Sequence, residues 1–207
     1  MENDIFKGLM FSEPKYGWTK FNLSKYNEKL CINTDWEDVV RVSYLTRLPV
    51  HMFEMLIKAY ENRYKLNIFT SFDAEGWEWE LGVSDYNIEI RLPNLDYNNE
   101  GYVPYCYSFL LNINFIKFAE DWLKCYQTYK DKWISFSILH EDADIEEVGR
   151  QFGKEAKQQI LDSKNKITQD LYFLEKELLK ILDEYYQEHN LKNPYRDKII
   201  DDYKTIE

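Results

Sequence analysis

The chain has 207 residues, 26 basic against 37 acidic, a net charge of −11, and 44% apolar residues, of which a large share are rings. This hydrophobic content excludes wholesale disorder, and the acidic balance argues against a general nucleic-acid binder or a protein that seeks anionic membranes. Seven Gly and five Pro leave little for long flexible linkers, and three Cys (Cys31, Cys106, Cys125) lack the count and spacing of a disulfide framework or a zinc site. The first ten residues carry Glu2 and Asp4 and no apolar run, so no signal peptide is expected, and no stretch reaches the ~18 apolar residues of a spanning helix. A cytoplasmic protein with reduced thiols is the expectation.

Residues 1–37 are aromatic without a period and read as irregular chain pinned by its rings, with room for a short strand. Residues 38–46 read as a strand through Val40, Val42 and Tyr44. Leu48-Pro49 opens a helix, because proline in the first turn loses no hydrogen bond. Phe53, Leu56, Ile57, Tyr60 and Tyr64 then form one apolar face.

Three alternating runs follow. Leu66, Ile68 and Phe72 define the first; Trp77, Trp79, Leu81 and Val83 the second; Ile88, Ile90 and Leu92 the third. Turns are expected at residues 73–76 and 84–85, which makes the group an antiparallel meander with one buried and one solvated face. Residues 102–112 supply a candidate fourth strand. Asn114 is the expected cap of a helix reaching about residue 130, with Phe115, Phe118, Trp122, Tyr126 and Tyr129 at helical spacing. Residues 132–140 read as another strand.

From Asp144 to Asn190 the pattern is helical. Ile167, Leu171, Leu174, Leu178, Ile181 and Tyr185 form a near-heptad seam, and residues 162–166 are a weak spot that splits the run if it holds two helices. The expected fold class is therefore α+β: an antiparallel meander packed with helices, followed by one long or two antiparallel C-terminal helices. In domain terms, residues 1–140 form the globular part and residues 141–207 a helical region packed on it or forming a hairpin.

The most distinctive chemistry is charge. Between Leu66 and Phe115 there are eight acids and one base, Arg91, a formal −7 out of −11. Glu78 and Glu80 lie about 7 Å apart on the expected solvated strand face, a spacing open to acid/base work but without the burial that tunes a pKa. A surface of Trp77, Glu78, Trp79, Glu80, Asp85, Tyr97 and Glu100 is the expected contact for a basic protein partner. Acids would steer the encounter and rings would supply apolar area.

Catalytic motifs are weak. His140, Glu141, Asp142 and Asp144 gather metal-ligand chemistry at a strand-to-helix junction, but acids at a helix start are ordinarily caps that complement its dipole. His51, His140 and His189 have no Ser or Cys beside them, and Gly149-Arg-Gln-Phe-Gly153 lacks the ending of a phosphate loop. Those two glycines suit close helix packing or a bend.

The resulting expectation is a non-enzymatic inhibitor without cofactor, with the compositional look of toxin-immunity or phage anti-defence proteins and an acidic array able to stand in for nucleic-acid phosphates. The alternatives are a metal-dependent hydrolase using the His140–Asp144 cluster and a scaffold that forms a homodimer through its C-terminal helices.

Overall fold

A computed structural model describes residues 5–15, 18–22, 25–26, 41–43, 47–62, 69–74, 77–84, 87–93, 106–137 and 145–195, with side chains for all of these except 41, 43 and 69–112. Two short strands, β1 (Trp18–Lys20) and β2 (Arg41–Ser43), pair antiparallel with Thr19 opposite Val42. Helix α1 (Leu48–Glu61) follows. Strands β3 (Phe69–Ala74), β4 (Trp77–Ser84), β5 (Asn87–Pro93) and β6 (Cys106–Asn114) come next. The remainder is helical: α2 (Phe115–Thr128), α3 (Lys130–Phe136), α4 (Ile145–Phe152) and α5 (Lys154–Glu188).

The expected α+β fold class is corrected by where the core lies. Most residues with described side chains belong to the five helices. The buried cluster is drawn from the N-terminal segment, Val42, α1, α2, α3 and α5. In the backbone, β3 to β6 pair antiparallel in the order β3-β4-β5-β6. The described core is mainly helix packed on helix, and α1 also lies against β3 and β4, whose side chains are outside the described residues. The bulk of that core is aromatic: the helical stripes carry Phe53, Phe115, Trp122, Tyr126 and Trp133, all buried.

Helix α1 begins with Pro49 in its first turn, where no N–H is needed, and Arg47 ahead of it in a left-handed conformation (φ 47°). Met52, Phe53, Leu56 and Tyr60 turn inward. Phe53 meets the rings of Trp122 at 5.4 Å and Tyr126 at 4.9 Å. Asn114 caps α2 by accepting from the Lys117 N–H at 2.9 Å.

Two further expectations change. Residues 132–140 do not open as a strand: Lys132 to Phe136 lie in α3, and 138–140 are outside the described residues. Trp133 and Phe136 continue the stripe of Tyr126 and Tyr129, and Trp133 packs 5.6 Å from Trp122 and 6.0 Å from Phe11. The helical break expected at 162–166 falls instead at Gly153, whose φ of 93° a side chain would resist. The turn expected over residues 73–76 is shorter too, since β3 runs through Asp73 and Ala74.

The aperiodic N-terminal segment is held by polar and ring contacts together. Phe11 bridges Phe21 in the backbone and meets its ring at 5.2 Å. Asn22 closes the loop, donating its Nδ2 to the Leu9 carbonyl at 3.1 Å and its backbone N–H to that of Met10 at 2.8 Å.

Helix α5, 35 residues and about 52 Å long by its rise, packs on α1, α2 and α3 through Ile167, Leu171, Leu178 and Leu182. The seam is therefore filled by the protein's own body. Upstream, α4 folds back on the start of α5, close enough that a Cβ at Gly149 would sit 3.1 Å from the Lys157 side chain. Neither α4 nor α5 before Ile167 has a buried residue.

Candidate functional site

The acidic stretch falls on β3 to β6 and their connections. Register fixes which residues of it are neighbours. Asp73 lies opposite Glu78 and Ser71 opposite Glu80 across β3 and β4. Across β4 and β5, Glu80 lies opposite Arg91, and Glu89 opposite Gly82. The one base of the stretch is thus matched to one acid, while two acids face each other at the Asp73/Glu78 position. Like charges directly opposite in an antiparallel pair are destabilising by a few tenths to about 1 kcal/mol.

Trp77, Glu78, Trp79 and Glu80 all lie on β4, so the backbone brings these four of the expected contact residues onto one strand. Their side chains are outside the described residues, as are Asp85, Tyr97 and Glu100 altogether. So are His140, Glu141, Asp142 and Asp144. Among the described residues no group of three His, Cys, Asp or Glu could hold a metal ion.

Several carboxylates outside these strands tie separate segments of the chain together. Asp121, buried on α2, accepts from Tyr26 Oη at 3.1 Å, with Lys25 Nζ at 3.0 Å and Lys117 Nζ at 3.9 Å. Glu175, buried on α5, accepts from Gln127 Nε2 at 3.0 Å and Lys130 Nζ at 2.8 Å, which ties α5 to α2 and α3. Glu13 accepts from Lys132, with Lys15 at 3.4 Å and Lys7 at 3.9 Å. The Lys132 hydrogen bond holds the Glu13 carboxyl below the usual carboxylate range. Glu120 accepts from Tyr186 on α5. Each of these carboxylates joins two or more segments of chain.

Among the described residues, Cys125 and the histidines show little tuning for a role as nucleophile or base. Burial pushes the Cys125 thiol up to about 12, where it stays protonated and unreactive at neutral pH. Burial lowers His51, which lies 3.9 Å from Glu54 on the same helix. His189, just past α5, stacks on Tyr185 at 4.1 Å and shares a hydrogen bond of 2.9 Å with its carbonyl. That is a helix-end contact.

Sequence reasoning missed the lysine-bound carboxylates. Lys25-Tyr26 and Asp121 are far apart in the chain, and no local spacing announces their meeting. No family model matches the chain, no curated protein matches it, and no solved structure matches it. Among the described residues no helix is long and apolar enough to cross a membrane.

Proposed function

We propose that this protein is a non-enzymatic acidic binding protein of the cytoplasm that neutralises a basic protein partner by covering its working surface. The observations that carry the reading are the acid excess of the 66–115 stretch and the strand register within it. In the helical body, Glu13, Asp121 and Glu175 each have lysine partners within the chain. In the 66–115 stretch, eight acids share one arginine, and the strand register sets Asp73 opposite Glu78. Two acids directly opposite each other cost stability in the free protein, a cost that cations from a partner would offset.

Trp77, Glu78, Trp79 and Glu80 on β4, with Asp85, Tyr97 and Glu100 beyond it, are the residues assigned to the contact. The acids steer diffusion toward Lys and Arg of the partner, and the loop tyrosines add apolar area once water is expelled. If the partner acts on nucleic acid, the acidic array occupies the place of phosphates. Inhibitors of the toxin-immunity or anti-defence kind work in this way.

The test is affinity capture from the source cell with the intact chain and with a Glu78→Lys/Glu80→Lys variant, at low and at high salt. The reading expects a basic protein whose activity is lost on binding, whose association slows as salt rises, and which the variant does not retain. Capture that is indifferent to both salt and the variant overturns it.

A further inference from the structure

The run from Ile145 to Glu188 carries one apolar face through two helices. Phe152, Ala156, Ile160, Ile167 and Leu171 step by 4, 4, 7 and 4, the spacing of a single unbroken helix. The structure interrupts that helix at one residue. Gly153 has φ 93° and ψ 172°, a region essentially closed to other residues, and the chain turns there so that α4 lies along the start of α5. The Gly153 N–H closes α4 on the Gly149 carbonyl at 3.1 Å, and the Gly153 carbonyl opens α5 by accepting from the Lys157 N–H at 3.3 Å.

Little holds the two helices in this hairpin. No residue of α4, and none of α5 before Ile167, is buried, and Phe152 is 71% exposed. Glu146 and Lys157 form an ion pair across the hairpin, but exposed pairs of this kind contribute little. A regular helix through residue 153 would add three ladder bonds, from the N–H groups of Lys154, Glu155 and Ala156 to the carbonyls of Arg150, Gln151 and Phe152. Only the two torsions of Gly153 need to change. Glycine populates both regions, and nothing lies within 4 Å of where its Cβ would be.

We infer that Gly153 is a single-residue hinge, on which α4 alternates between the folded hairpin and a straight extension of α5. In the straight form residues 145–188 make one helix of about 66 Å by its rise. Phe152, Ala156 and Ile160 then continue the face of Ile167 and Leu171 along it. The folded form depends on Gly149, because a Cβ there would meet Lys157 Cδ at 3.1 Å. The two glycines thus have separate parts: Gly149 admits the closed state, and Gly153 allows the change between states. The acidic strands take no part in this movement.

The test is a spin-label distance measurement on the full chain. Labels at positions 147 and 170 are attached through introduced ketone side chains, which leaves Cys31, Cys106 and Cys125 as they are. Glu146 lies level with Lys157 in the hairpin, so the rise of ~1.5 Å per residue gives a separation of about 20 Å there and about 35 Å in the straight helix. The intact chain is expected to show both distances. Gly149→Leu crowds Lys157 in the hairpin alone, and is expected to raise the long-distance population about tenfold or more. Lys154→Pro is expected to leave only the short distance, because proline fits the first turn of α5 but clashes with the Arg150 carbonyl in a continuous helix. Both positions lie outside the buried core, so the body stays folded in each variant. An intact chain with the short distance alone, a Gly149→Leu variant without the long one, or a Lys154→Pro variant that keeps it overturns the inference.

Discussion

Tyr26 donates its hydroxyl to Asp121 at 3.1 Å and so fastens the aperiodic N-terminal segment to the middle of α2. The ring of Tyr26 is also packed, 5.8 Å from Phe21 and 5.5 Å from Phe118. Tyr26→Phe keeps those ring contacts and deletes only the hydroxyl. Asp121 then has one donor fewer in a buried place, an expected cost of about 1–3 kcal/mol. Urea denaturation of the variant checks it, and an unchanged midpoint would mean that Lys25 and Lys117 satisfy the carboxylate without the hydroxyl.

Tyr26, Tyr126, Tyr186 and Tyr195 all titrate above the ordinary tyrosine value of 10.0, with burial the first cause in each; Tyr195 is pushed up to about 12. Cys125 moves from 9.0 to about 12. Groups that hold their protons more tightly when folded contribute stability that is complete below the unfolded value and lost as pH rises through the folded one. The contribution of these groups should therefore be level up to about pH 9 and fall steadily above it. Melting temperatures followed with tyrosinate absorbance test this, and the phenols are expected to ionise with unfolding rather than before it.

Leu171 and Leu178 are fully buried. Leu171→Ala and Leu178→Ala should each cost about 2–5 kcal/mol through lost burial and the cavity left behind. Phe152, 71% exposed at the end of α4, should tolerate Ala within about 0.5 kcal/mol. Chemical denaturation of the three variants makes the comparison; a cheap Leu171→Ala would show that the seam does not carry the packing of α5.

Asn114→Ala removes the α2 cap and should cost about 0.5–2 kcal/mol globally. Gly153→Ala acts locally, because it forces a side chain onto a φ of 93°. Hydrogen exchange is expected to speed up over residues 145–166 in that variant, while Ile167 to Leu182 stays protected by the core. Equal acceleration along the whole helix would contradict the division of α5 into an open arm and a packed half.

Several elements were legible in the sequence because one local rule sufficed. Pro49 and the three- and four-residue steps from Phe53 to Tyr60 announce α1, and Asn114 announces the start of α2. The near-heptad from Ile167 announces the inward face of α5. The glycines at 149 and 153 signal close packing or a bend, and the structure has the first at Gly149 and the second at Gly153.

What the sequence by itself determined is the charge inventory, with −7 gathered between Leu66 and Phe115, and the face of each long helix that must be covered. Both follow from composition and from a period that repeats over several turns. Only the tertiary structure decided the rest. Residues 132–140 alternate as a strand does, yet Lys132 to Phe136 lie in a helix that buries Trp133 between Phe11 and Trp122. The fold class moved from α+β to a helical core for the same reason, since short apolar runs do not state their period and packing chooses it. Pairings such as Tyr26 with Asp121, or Lys130 with Glu175, carry no local signal, because they join residues that meet only after the chain has folded.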